Sequence, residues 1–194
     1  MLHQIDNKVY FATGNDKKIL EAKEILSKFD IQVERIKIDK VEVQSNRLER
    51  IVLYSLKQIL EDSRYIIVED SGLFIRGLNN FPGPYSSYTF KKIGCEGILK
   101  LMQDKKDRTA KFVSVIGLKN KKNRAFLFKG EVNGKIAYKK IGQFGFGFDP
   151  IFIPDGYEQT FAQMEISQKN TISHRGRAFR ALGEWMRSQT AKHI

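Results

Sequence analysis

Glu69-Asp70-Ser71-Gly72 sets two carboxylates, a hydroxyl and a glycine directly after the apolar run Ile66-Ile67-Val68. Hard carboxylate oxygens at a strand end can hold a divalent cation or orient a water for attack. The same residue types also make an ordinary polar turn, so this stretch alone admits both readings. A second group, Thr13-Gly14-Asn15-Asp16-Lys17-Lys18, offers a hydroxyl, an amide and two ammonium groups where a helical pattern begins. Backbone N–H groups and the positive end of a helix dipole at such a junction suit an anion. Neither the spacing of a P-loop nor GxGxxG is present, and an N-capped helix with an exposed lysine accounts for the same residues.

Further along, Gly145-Phe146-Gly147-Phe148-Asp149 alternates glycine with phenylalanine. That pattern puts aromatic faces beside backbone able to approach a ligand closely, which suits stacking of a planar ring and equally an aromatic core loop. Near the C-terminus Lys169 precedes Ser173-His174-Arg175. Ser173 is a natural N-cap, so His174 and Arg175 fall in a first helical turn, where cations oppose the dipole by up to about 1 kcal/mol. A negatively charged ligand would give that placement a reason. Glu42, between Val41 and Val43, reads from spacing alone as a solvated acid.

The elements that must position these residues follow from periodicity. Residues 8–12 read as a first strand and 17–29 as a helix with Ile19, Ala22, Ile25, Leu26 and Phe29 inward. A second strand is expected over 31–38, and a helix over 46–63 with Leu48, Ile51, Val52, Leu56 and Ile59 inward. A short buried strand, 66–68, delivers the acids. Pro82, Gly83 and Pro84 require a shaped loop, after which a short helix opens at residues 94–97. Residues 109–118 and 124–132 form an antiparallel hairpin across a polar loop, and the chain closes with an amphipathic helix carrying Phe179, Leu182, Trp185 and Met186. Parallel pieces early and antiparallel pieces late predict a mixed α/β sheet.

With 194 residues the chain is expected to form one domain of two lobes, with no linker dividing it. No apolar run approaches the ~18 residues of a membrane span, and no signal-like start is visible, so a cytoplasmic protein with no membrane partner is expected. Cys95 is the single cysteine, which excludes an internal disulfide and a thiolate cluster for zinc. The net charge of +12 favours phosphate-bearing ligands. Its lysines are scattered in pairs without interleaved aromatics, which indicates a diffuse surface charge, and no nucleic acid partner is expected.

Taken together and in order, these segments closely resemble the inosine/xanthosine triphosphate pyrophosphatase family. Thr13 to Lys18, Glu69 to Leu73, Phe81-Pro82-Gly83-Pro84-Tyr85-Ser86-Ser87, Gly145 to Phe152 and Lys169 to Arg175 carry the resemblance over nearly the whole chain. It implies an elongated mixed β-sheet flanked by helices, two lobes with the active-site cleft between them, and a homodimer. It implies hydrolysis of ITP, dITP or XTP to the monophosphate and pyrophosphate with Mg²⁺. Asp70 matches the catalytic acid that directs water to the α-phosphorus, Glu42 its partner as Mg²⁺ ligand, and Glu69 a further metal or supporting group. Thr13, Gly14, Asn15, Asp16, Lys17, Lys18, Ser71 and Lys169 match groups around the phosphates. Phe146, Gly147, Phe148, Asp149, His174 and Arg175 match the base end, with Phe146 stacking on the purine. An acceptor such as Asp149 beside donors such as His174 and Arg175 suits the N1–H and O6 of a 6-oxopurine over adenine.

Two positions depart from the family pattern. Gln163 stands where many members have an acid, and Glu49-Arg50-Ile51 to Tyr54 lacks a lysine that bacterial-type members carry, for which Arg50 or Lys57 could substitute. The reading from a different class is a basic nucleotide- or RNA-binding module without catalysis. It explains three acids near a phosphate site poorly, since they repel phosphate unless a cation is present.

Overall fold

The structure, a computed structural model, describes residues 7–38, 41, 43–60 and 64–191. Seven strands form one sheet: β1 (Lys8–Ala12), β2 (Gln32–Ile36), β3 (Tyr65–Ile75), β4 (Phe81–Gly83), β5 (Thr109–Lys119), β6 (Ala125–Ile136) and β7 (Phe152–Pro154). Five helices accompany them among the described residues: α1 (Asp16–Ser27), α2 (Leu48–Lys57), α3 (Ser86–Leu101), α4 (Ile166–Ile172) and α5 (His174–Ala191). Strand order is β2-β1-β3-β5-β6-β7, with β4 paired to β3. β1 runs parallel to β2 and β3, whereas β3, β5, β6 and β7 are antiparallel in turn. The mixed α/β class expected from the sequence is therefore present.

The acids do not stand at a strand end. β3 runs on through them to Ile75, because Glu69, Asp70, Ser71 and Gly72 pair with Ile116, Val115, Ser114 and Val113 of β5 and must keep strand geometry. The opposite edge is different. β1 pairs with β3 only at Tyr65–Ile67 and β4 only at Leu73–Ile75, so Val68 to Gly72 has no paired strand there among the described residues. The third helix also begins earlier than expected, at Ser86, and Gly94, at φ 61°, marks a kink within it. Buried Ser86 fixes that start: its hydroxyl donates to the Gly83 carbonyl and accepts from the Leu73 amide.

Strand alternation sorts the long strands into two faces. Ile66, Val68, Val113 and Val115 pack beneath α2, while Ile67, Ile116 and Leu118 pack beneath α1 and α5. Farther along this second face Leu73, Ile75 and Phe112 belong to another core, built with α3 and the 3-10 turns Asp149–Ile151 and Phe161–Gln163. Two apolar cores thus lie end to end on one face, and Glu69 and Ser71 fall between them. Lys119 closes the α2 side: its ammonium donates to the Ile59 carbonyl at 2.5 Å, satisfying backbone just beyond the helix. No helix among the described residues is long and apolar enough to cross a membrane.

Candidate active site

β1 ends at Ala12, and the turn to α1 follows at once. Asn15 caps the helix by accepting from the amides of Lys17 and Lys18, and Thr13 Oγ1 accepts from the Asn15 amide at 3.2 Å. Gly14 is exposed, with open space where a side chain would be. The turn is thus a rigid N-terminus opening beside the unpaired edge of β3.

Lys18 continues from this turn into a cluster of charges held between the two cores. Its ammonium lies 2.6 Å from Glu69 Oε2, an ion pair rather than a well-aligned hydrogen bond. Glu69 Oε1 accepts from Arg175 at 3.1 Å and from the Ser114 hydroxyl at 2.7 Å. Arg175 donates further to Glu21 at 2.6 Å and to Ser71 Oγ at 2.9 Å. Lys169 bonds Glu21 at 2.9 Å and Asp149 Oδ2 at 2.7 Å. Three acids face three cations, and every one of the six except Lys18 is buried. Unpaired charges there would cost several kcal/mol each, so the cluster is stable only as a set.

Burial alone would raise the Glu69 carboxyl, but Arg175 and then Lys18 outweigh it and hold it far below the ordinary carboxylate range. Glu21 follows the same logic: Arg175 and Lys169 overcome burial and keep it ionised. Lys169 is held charged by Asp149 and Glu21 against burial, and Arg175 by Glu69 and Glu21. His174 goes the other way. Burial first, then Arg175 and Lys169, push its imidazole well below the ordinary histidine value, so it is neutral. It stacks on Phe112 with centroids 4.6 Å apart, and its Nδ1 is buried without a hydrogen-bond partner. The Ser173 cap is present, accepting from the Gly176 amide at 3.0 Å. The first turn of α5 therefore carries one cation, Arg175, answered by two acids. Close approach of this turn to the sheet depends on Gly130, where a Cβ would collide with the His174 carbonyl and the Ala178 amide.

Phe146 closes the cluster. Its ring centre lies 5.0 Å from the Lys169 ammonium and 5.2 Å from the Arg175 guanidinium, within cation–π range. Its amide donates to Asp149 Oδ2 at 2.7 Å, so the buried aspartate sets the turn. Gly145 needs its glycine there: φ is 73°, and a Cβ would strike the Asp149 carboxylate. Gly147, at φ 61°, accepts from Cys95 Sγ at 3.5 Å.

Of the residues expected at the site, Lys18, Glu69, Ser71, Phe146, Asp149, Lys169, His174 and Arg175 are brought together. Four are placed differently. Phe148 turns into the second core, edge-on to Phe90 at 5.3 Å, because the glycine turn sends alternate rings to opposite sides. Asp16 is exposed and paired with Arg35 of β2. Lys17 leaves the helix to reach the Gly145 carbonyl at 2.6 Å. Asp70 is half-buried on the α2 face, the face opposite Glu69. Glu42 lies outside the described residues, and no three His, Cys, Asp or Glu side chains cluster as a metal cage among those described. Gln163 completes a capping box with Thr160, a structural use of that position.

Glu21 and Ser114 were not anticipated. Glu21 follows Lys18 by one helical turn and sits on the inward side of α1 beside Ala22 and Ile25, so an acid in an apolar stripe was the available signal. Ser114 interrupts the apolar run from Phe112 to Leu118 in β5 and is fully buried.

The Ham1 family model matches residues 9–185. A dITP/XTP pyrophosphatase of Methanopyrus kandleri is 48% identical, over 95% of this chain and 98% of that protein. One of Pyrococcus horikoshii is 44% identical, over 93% and 97%. Among solved structures, the Staphylococcus aureus Ham1 protein superposes with a TM-score of 0.81 at 31% identity, covering 94% of this chain and 99% of that one. A nucleoside-triphosphatase, or dITP/XTP pyrophosphatase, from Mycobacterium abscessus gives 0.70 at 30%, covering 90% and 98%. With most of its length matched by the family model, by these relatives and by their folds, the chain belongs to the Ham1 family.

Proposed function

We propose that this protein is a cytoplasmic nucleoside-triphosphate pyrophosphatase that hydrolyses ITP, dITP and XTP to the monophosphate and pyrophosphate. The observation that carries this reading is the Glu69 bridge. One buried carboxylate ties Lys18, beside the α1 N-terminus, to Arg175, beside the aromatic loop, at 2.6 and 3.1 Å. A phosphate end and a base end are thereby held in one rigid frame. The relatives named as dITP/XTP pyrophosphatases support the same conclusion.

At the phosphate end, the α1 amides, Thr13, Asn15 and Lys18 hold the triphosphate oxygens. Asp70 orients water for attack on the α-phosphorus and takes its proton. Asp70 is a hard, half-buried oxygen donor on a stretch of β3 that β5 alone pairs among the described residues, and it fits Mg²⁺, which commonly takes one or two carboxylates jointly with phosphates and waters. Glu42 would be the second carboxylate. The bound ion would neutralise phosphate charge and polarise the scissile anhydride. Glu69 is left out of the metal set, since both its oxygens already face cations across the sheet from Asp70.

At the base end, Phe146 stacks on the purine. Arg175 spends three of its five N–H donors on Glu69, Glu21 and Ser71, and Lys169 two of its three on Glu21 and Asp149. The remaining donors face the 6-oxo group, and Asp149 Oδ1 accepts from N1–H. Adenine reverses both polarities, a mismatch worth several kcal/mol in a buried site. A homodimer is part of this reading, supported by the large apolar side chains Phe81, Tyr88, Ile93 and Leu101 that reach solvent on β4 and α3. Incubation with dITP and Mg²⁺ tests the activity: pyrophosphate should be the first inorganic product, and orthophosphate without pyrophosphate would refute it.

A further inference from the structure

Lys17 and Lys18 are consecutive, yet they serve different parts of the molecule. Lys18 turns into the Glu69 cluster, whereas Lys17 is exposed and its ammonium donates to the Gly145 carbonyl at 2.6 Å, 128 positions away in sequence. The same ammonium lies 5.9 Å from the centre of the Phe146 ring. Its backbone is fixed, because the Lys17 amide donates to the Asn15 cap at 3.0 Å.

The segment it reaches is otherwise anchored on its own side. Gln143 and Phe144 amides both donate to the Ala162 carbonyl at 2.9 Å, and the Phe146 amide donates to Asp149. The Gly147 carbonyl accepts from Cys95 of α3. All of these partners belong to the second core or its turns. Among the described residues, the Lys17 bond is the one hydrogen bond that joins residues 143–147 to α1, on the first core. It holds the loop beside Phe146, whose ring lies over Lys169 and Arg175.

We propose that Lys17 is a positioning residue: by holding the Gly145 carbonyl it keeps Phe146 over the base end, and so sets affinity for the base rather than for the phosphates. This rests on the nucleotide reading of the site. Holding the loop equally in ground and transition states changes KM and leaves kcat nearly unchanged. One partly exposed, charge-assisted hydrogen bond predicts a change of about five- to tenfold.

The test compares wild type, Lys17→Met and Lys17→Arg, the last keeping a donor of similar reach. Hydrogen–deuterium exchange of the ligand-free proteins should show amides 143–147 exchanging several-fold faster in Lys17→Met, with α1 unchanged and Lys17→Arg close to wild type. In steady state Lys17→Met should raise KM for dITP about five- to tenfold, with kcat within twofold and inhibition by inorganic triphosphate within twofold of wild type. Unchanged exchange in Lys17→Met would overturn the proposal. Equal weakening of dITP and inorganic triphosphate would also overturn it, assigning Lys17 to the phosphates. If wild type hydrolyses no triphosphate while the exchange difference is present, the nucleotide reading falls and the loop-holding contact stands.

Discussion

Glu69 and Asp70 are adjacent in β3 but stand on opposite faces of the sheet, Glu69 opposite Ile116 in the α1–α5 layer and Asp70 opposite Val115 in the α2 layer. Two neighbouring acids therefore do separate work. One is a buried counter-ion that assembles cations, and the other is a half-buried carboxylate on the far face from that cluster.

Their substitutions should separate accordingly. Asp70→Asn is expected to keep the fold and lose about 10²–10⁴ in turnover, the usual share of a positioned general base. It should also raise the Mg²⁺ concentration needed for half-maximal rate. Glu69→Gln leaves Arg175 and Lys18 under-compensated and should cost about 3–5 kcal/mol. That lowers Tm by on the order of ten degrees for a chain of this size. Its half-saturating Mg²⁺ should match wild type. Thermal melts and Mg²⁺ titrations of both variants check this, and a shifted Mg²⁺ requirement in Glu69→Gln would return that residue to the metal set.

Acid sensitivity should begin with His174. Its folded pKa lies well below 6.5, so below about pH 6.5 the unfolded chain takes up a proton that the folded protein refuses. Stability then falls with decreasing pH by up to about 1.4 kcal/mol per unit. Glu21 and Glu69 are depressed carboxylates, so their stabilisation is complete above about pH 4.5 and is lost as pH falls further towards their folded values. Urea midpoints should therefore decline between pH 6.5 and 4.5, then more steeply. His174→Gln should flatten the upper part of that decline; a slope equal to wild type would contradict the assignment.

Much of this arrangement was legible in the sequence, and the remainder failed for physical reasons. Period-two and period-3.6 patterns located the sheet and helices, and the Asn15 and Ser173 caps are where side-chain chemistry puts them. Val68 reads from the sequence as the end of its strand, because the turn-forming types Asp70, Ser71 and Gly72 after it outweigh pairing with β5, a partner some forty residues away. Glu21 carries no signal of its role in the local sequence beyond its inward position, since its partners Lys169 and Arg175 come from the other end of the chain. Nor could spacing say that Phe146 faces Lys169 and Arg175 while Phe148 enters the core. The positive φ of Gly145 and Gly147 decides that.

The two phenylalanines give a direct check. Phe146→Ala should raise KM for dITP by about tenfold or more, as expected for loss of one aromatic stacking partner, with little change in Tm. Phe148→Ala removes a buried ring packed on Phe90 and should cost about 3–5 kcal/mol in stability. Kinetics paired with denaturant unfolding distinguish the outcomes. An unchanged KM in Phe146→Ala would make that ring a core residue like its neighbour.

The central claim is that Asp70 aims water at the α-phosphorus of a triphosphate held by the α1 N-terminus. Hydrolysis of dITP in ¹⁸O-labelled water, followed by mass spectrometry of the products, measures it. The account predicts one ¹⁸O in the nucleoside monophosphate and none in pyrophosphate. Label in the pyrophosphate, with an unlabelled monophosphate, would mean attack at the β-phosphorus and would contradict it.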